Sequence, residues 1–164
     1  MPPSTWVAAV YWWDAKTRKR IQKNAATIKN EKVRALQNHL DLDDEEVNNI
    51  TFNGNEFIHG DREYLVLEDE EADKRAEEYI KDTAWAFKPS FLSAHTGIDE
   101  DVFNILSEKC EDSNNAVLSM IKDFDHFVSD AISSDGRGHF IATYDHDESI
   151  EEINNTEYFI YRTN

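Results

Sequence analysis

Apolar positions recur with two periods along the chain, and the changes of period divide it into elements. Residues 6–13, WVAAVYWW, are apolar on both alternating faces, as in a strand covered on both sides. The following DAKTRKRI reads either as a second strand or as the entry to a helix. Ala25, Ile28, Val33, Leu36 and Leu40 then recur near helical spacing and predict a helix over 24–40, with a short acidic helix around 43–48. Asn53-Gly54 between TF and EFI is a hairpin signal, and REYLVL predicts a strand over 62–67.

The plainest helical pattern lies at 69–87, where Ala72, Ala76, Tyr79, Ile80, Thr83, Ala84 and Phe87 form one inward face, with Asp69 as its cap. Lys88-Pro89 breaks it. A helix at 90–96 stops at Gly97, and Ile98-Asp99 opens another with Val102, Phe103, Leu106 and Cys110 inward. Val117, Met120, Ile121, Phe124, Phe127, Val128, Ala131 and Ile132 predict a longer helix over 114–132. SSDGRG reads as a turn between that helix and two closing strands, HFIATYD at 139–145 and EYFIYR at 157–162, expected to pair antiparallel. Strands toward both ends with helices between them predict an α+β fold: an antiparallel sheet of N- and C-terminal strands with a cluster of helices packed on it.

A chain of 164 residues without an internal repeat or linker fits one domain, 1–164. At that size about two-thirds of the unfolded chain's surface is buried, so no staple is required. The aromatic fraction of 12% excludes a disordered composition. Cys110 is the only cysteine, which rules out an internal disulfide or a multi-thiolate zinc site and reads as a small buried hydrophobe. The opening MPPSTWVAAVYWW has no basic region, and its apolar run is too short to span a membrane. A cytoplasmic setting without membrane association is therefore expected, and the sequons at Asn49 and Asn154 carry no meaning there.

Charge changes the picture most. Thirty-four acids stand against seventeen bases, a net −17. Residues 1–40 carry eight bases and two acids (+6), and residues 41–164 carry nine bases and thirty-two acids (−23). Self-repulsion of this size opposes folding, so it calls for either a solubility role or a basic partner.

The stretch DREYLVLEDEEADKRAEEYIKDTAWAF, the segment DGRGHFIATYD and the ending YFIYRTN resemble small acidic proteins encoded by bacteriophages, over residues 60–164. The resemblance implies a viral origin and the cytoplasm of a host cell, and carries no defined activity.

No motif survives as catalytic. Asp41, Asp43 and Glu45 alternate like a calcium loop, but Glu46 occupies the required glycine position, and Asp145, Asp147 and Ser149 fail the same way at Ile150. His139, His146 and Asp145 lie close in sequence, yet on a strand the two histidines would face opposite sides. Asp125-His126 and His59-Gly60-Asp61 add further pairs, but there is no H-E-x-x-H and no two histidines sit four apart on a helix. No metal or other cofactor is expected. The acids around Cys110 disfavour its thiolate. Gly136-Arg137-Gly138 offers amides to an anion or simply makes a tight turn. The basic run 16–34, with Trp6, Trp12 and Trp13, suits phosphate and bases, but the acidic body opposes direct nucleic-acid binding.

The acids themselves suggest a mechanism. Duplex DNA carries a negative charge about every 1.7 Å of its axis, and a helix rises about 1.5 Å per residue. Glu68, Asp69, Glu70, Asp73, Glu77, Glu78 and Asp82 fall mostly off the apolar stripe of the 69–87 helix and are the predicted partner-binding residues. With the phage resemblance, they predict a non-enzymatic ligand for a basic protein surface, as a nucleic-acid mimic inhibiting a host nuclease or defence complex. The alternatives are a regulatory or structural phage protein acting through self-association, as a homo-oligomer, and a metal-dependent hydrolase.

Overall fold

Residues 30–109 and 112–164 are described by the computed structural model. The predicted strand 6–13, the first part of the predicted helix 24–40, most of the basic run and Cys110 lie outside them. Helix α1 covers 30–40, followed by a 3₁₀ turn at Glu46–Asn49. Five strands, β1 (Thr51–Asn53), β2 (Glu56–His59), β3 (Arg62–Leu67), β4 (Ser149–Ile153) and β5 (Thr156–Arg162), form one antiparallel sheet in the order β1-β2-β3-β5-β4. Between β3 and β4 run α2 (Asp69–Asp82), a 3₁₀ turn at Ala84–Ala86, α3 (Pro89–Thr96), α4 (Glu100–Lys109), α5 (Ser113–Met120), α6 (Phe124–Asp135) and α7 (Arg137–Ile141). The expected α+β architecture, an antiparallel sheet carrying packed helices, is present.

The centre of the sheet explains its sequence. β3 and β5 pair with Val66 opposite Ile160 and Leu67 opposite Phe159. Because alternate side chains point to opposite faces, Tyr64, Val66, Tyr158 and Ile160 enter one apolar cluster with Ala35 and Leu36 of α1. Leu67, Phe159 and Tyr161 enter a second with α2 to α7. Covered on both faces, these strands read as unbroken apolar runs, YLVL and YFIY. On α2, Ala72, Ala76 and Ile80 are buried, and the two alanines let the helix approach the sheet closely.

Several boundaries differ from expectation, each for a local reason. The 69–87 helix stops at Asp82, where the Thr83 hydroxyl donates to the Tyr79 carbonyl and a 3₁₀ turn takes over. Its N-cap is Glu68 rather than Asp69, with the Glu68 N–H donating to the Glu71 carboxylate (2.9 Å). The predicted 114–132 helix is two helices: Ile121 is extended and Asp123 caps α6 by accepting the His126 N–H. Apolar spacing continues through that break, so periodicity concealed it. The hairpin after β1 turns on Gly54-Asn55, one residue later than an Asn-Gly turn, with Asn53 opposite Glu56.

HFIATYD is not a strand. Gly136 takes φ 79°, ψ 156° and turns the chain from α6 into α7, and Phe140, Ile141 and Ala142 are buried consecutively rather than alternately. A Cβ on Gly138 would lie 2.6 Å from the His146 carbonyl oxygen, so only glycine admits this close return. The partner of β5 is instead β4, joined through Asn154 (φ 52°) and Asn155 (φ 64°). Asparagine tolerates that left-handed pair better than most residues.

Candidate functional site

The acids of α2 do not form one uninterrupted face. Asp69, Glu70, Asp73, Glu77, Glu78 and Asp82 are exposed and Glu68 is half-buried. Lys74, Arg75 and Lys81 are interleaved among them, and Arg75 lies 3.9 Å from Glu78. Asp69 and Asp73 are held by Arg137 at 2.7 and 3.0 Å. Glu70, Glu77 and Asp82 have no partner among the described residues. Asp73 and Glu77 face Asp125 of α6 across a shallow hollow, so the acidic side continues from α2 onto α6. Acid also lies beyond the other face of the sheet, where the Asp43 carboxylate accepts the N–H groups of Glu45 and Glu46 beside Val47 of the α1 cluster.

Two charge networks are structural. Arg137, only 11% exposed, also bonds Glu148 at 3.0 Å and stacks 4.2 Å over Phe159, while the Tyr161 hydroxyl donates to the same Glu148. Its guanidinium therefore points into the fold rather than toward an external anion. Burial first, and the hydrogen bond to Glu148 second, push the Tyr161 phenol well above its ordinary range. Lys32, from the basic run, is buried against Glu71 and Asn55. Burial works to raise the Glu71 carboxyl, but Lys32, the Glu68 N–H and Asn55 together hold it below its usual value.

A concave apolar surface lies where α2 ends. A groove of about 890 Å³ is rimmed by Tyr79, Trp85, Lys88 and Asp135 and floored by Phe87, Phe91 and Phe140. Phe87 stacks on Phe91 at 5.2 Å and meets Phe127 at 5.0 Å, which fixes the floor. Trp85 is 49% and Tyr79 44% exposed. The Trp85 backbone is nevertheless clamped: its N–H donates to Asn114 Oδ1, and Asn114 Nδ2 donates to the Lys81 carbonyl, both at 3.0 Å. Sequence reasoning placed Tyr79 and Phe87 inward and gave Trp85 no part. The signal was Trp85 itself, which interrupts an alanine-flanked stretch off the inward stripe.

Histidines gather twice. His139 and His146, expected on opposite sides of a strand, have ring centroids 5.4 Å apart because the segment is a helix followed by a turn. His95 of α3 meets His126 and Asp130 of α6. Each Nε2 is 3.4 Å from Asp130 Oδ2, and one ligand atom of each residue lies within 4.8 Å of the others. The i, i+4 spacing of His126 and Asp130 was visible in the sequence, but nothing there brought His95 to it.

The chain matches no protein-family model, no curated protein and no solved structure.

Proposed function

We propose that this chain is a non-enzymatic binding protein for a basic protein surface, gathered by the negative field and anchored by an apolar residue in the groove at the end of α2. The observation that carries this is Trp85: a half-exposed indole on a clamped backbone, at the rim of an aromatic-floored groove. Tryptophan and tyrosine dominate binding hot spots, and preorganised ones lose little entropy when covered. Asp135 shares the rim with Lys88, and Asp82 shares a neighbouring hollow with Tyr79, Glu78, Arg75 and Lys81, so groups of both signs flank the anchor. The net −17 supplies steering, which acts on association rate more than on affinity. The bases interleaved on α2 break up a continuous phosphate-like track, so anchoring falls to the groove. On the resemblance to phage proteins, the partner is a nucleic-acid-binding protein of the bacterial host, such as a nuclease or defence complex.

Capture from a bacterial lysate at low and high salt, followed by rebinding of the purified captured protein, tests this. The expected partner is basic, salt-sensitive and displaced by heparin. Trp85→Ala should weaken it about thirtyfold, the loss of about 2 kcal/mol typical of a hot spot. Glu70→Lys with Glu77→Lys and Asp82→Lys should slow association without unfolding the chain. Undiminished binding by Trp85→Ala contradicts the proposal. So does a salt-insensitive homodimer that Trp85→Ala dissociates.

A further inference from the structure

We propose that His95, His126 and Asp130 form a site for one divalent transition-metal ion of the zinc class, bridging α3 and α6. The donors come from two helices that are separate in sequence, and His126 and Asp130 sit one turn apart on the same face of α6. Both imidazole Nε2 atoms lie 3.4 Å from a single oxygen, Asp130 Oδ2. Zinc holds such ligands at about 2.0–2.2 Å, and a tetrahedron of that size has edges of about 3.3–3.6 Å. Both N···O spacings are thus those of neighbouring ligands around one cation, and one ligand atom of each residue lies within 4.8 Å of the others. Both spacings are longer than the about 2.7–3.2 Å of a good N–H···O hydrogen bond.

The site is also preorganised. The His95 side chain is 7% exposed, set 4.6 Å from the ring of Phe91 and edge-on to Phe127 at 5.2 Å. Packing therefore fixes the direction of its imidazole. The His126 N–H is bonded to the Asp123 cap, which fixes the first turn of α6. His126 and Asp130 are exposed by 64% and 43%, so an ion can enter and a fourth position stays open to water. Two imidazoles and one carboxylate select zinc, cobalt, nickel or copper over magnesium and calcium, which take oxygen ligands. The His139–His146 pair has no third donor at ligand spacing among the described residues, and so serves as an internal control. The site is independent of partner binding, although Phe91, Ala131 and Asp135 place both bridged helices in the groove wall.

The full chain, purified with chelator and dialysed, is titrated with zinc by calorimetry and with cobalt by visible absorption. One ion per chain is expected, with the ligand-field bands of tetrahedral cobalt and a raised melting temperature. His126→Ala and Asp130→Asn alter exposed side chains, so the fold survives them. Each should weaken zinc binding at least tenfold and abolish the thermal shift, while His146→Ala should change neither. Unchanged zinc affinity in both site variants would overturn the proposal, as would loss of binding in His146→Ala. Thiolate charge-transfer intensity in the cobalt spectrum would assign the ion to Cys110 and overturn it equally.

Discussion

Replacing Arg137 by methionine isolates the contribution of the ion network that ties α7 to α2 and to the loop before β4. Methionine keeps an unbranched stem and removes the guanidinium that bonds Asp69, Asp73 and Glu148 and lies over Phe159. Asp69 and Asp73 are 69% and 62% exposed, so their pairs resemble surface bridges worth about 0–1 kcal/mol each. Glu148 is 24% exposed and, among the described residues, keeps only the Tyr161 hydroxyl as a side-chain donor. Stripping a buried charge of its partner costs about 3–5 kcal/mol at full burial. The partial exposure of Glu148 brings the expected loss for Arg137→Met to about 2–3 kcal/mol. Adding Glu148→Gln removes the stranded charge and should recover about 1 kcal/mol or more of that loss. Urea unfolding followed by circular dichroism measures both. A loss under about 0.5 kcal/mol in the single variant, the range of ordinary surface changes, would refute a stabilising role for this network. Strict additivity of the two substitutions would refute the coupling.

Three further outcomes follow from the same geometry. Hydrogen bonds from Asn154 and Tyr158 hold the Glu31 carboxyl low against a smaller opposing effect of burial, and Lys32, the Glu68 N–H and Asn55 overcome burial to hold Glu71 low. The stability these groups add is present above their ordinary value of 4.5 and is lost as pH falls below it, so Glu71→Gln should flatten the acid limb of an unfolding-versus-pH curve. Burial and a carboxylate acceptor raise the phenols of Tyr158 and Tyr161, so stability should fall as pH rises past their unfolded value near 10.0, with phenolate absorbance appearing only on unfolding. Asn155→Ala should cost about 1 kcal/mol because φ is 64° there, and Asn155→Gly should not, by thermal melting.

Much of the architecture was legible because it follows from burial. The runs YLVL and YFIY, the alanine face of α2 and the Gly97 stop each carry a local physical reason, and each is where the sequence placed it. What was illegible depended on local caps and turns that apolar spacing does not register, or on contacts distant in sequence. HFIATYD has a strand-like composition, but residues 139–141 end a short helix, 143–145 turn, and the chain returns past Gly138 at His146. The break at Asp123 was hidden because one apolar face serves two helices. The α2 acids were correctly placed outside the apolar stripe, yet Arg137 engages two of them from 68 and 64 positions away. His95 joins His126 and Asp130 where Phe91 and His95 of α3 pack on Phe127 of α6.

Anchoring of a basic partner in the groove is tested most directly by amide hydrogen exchange of the chain, free and bound to the purified captured protein. Slowed exchange over 79–91 and 131–140, where the groove is lined, is the predicted result. Protection confined to the acidic turn at 43–49, with the groove exchanging as in the free chain, would contradict it.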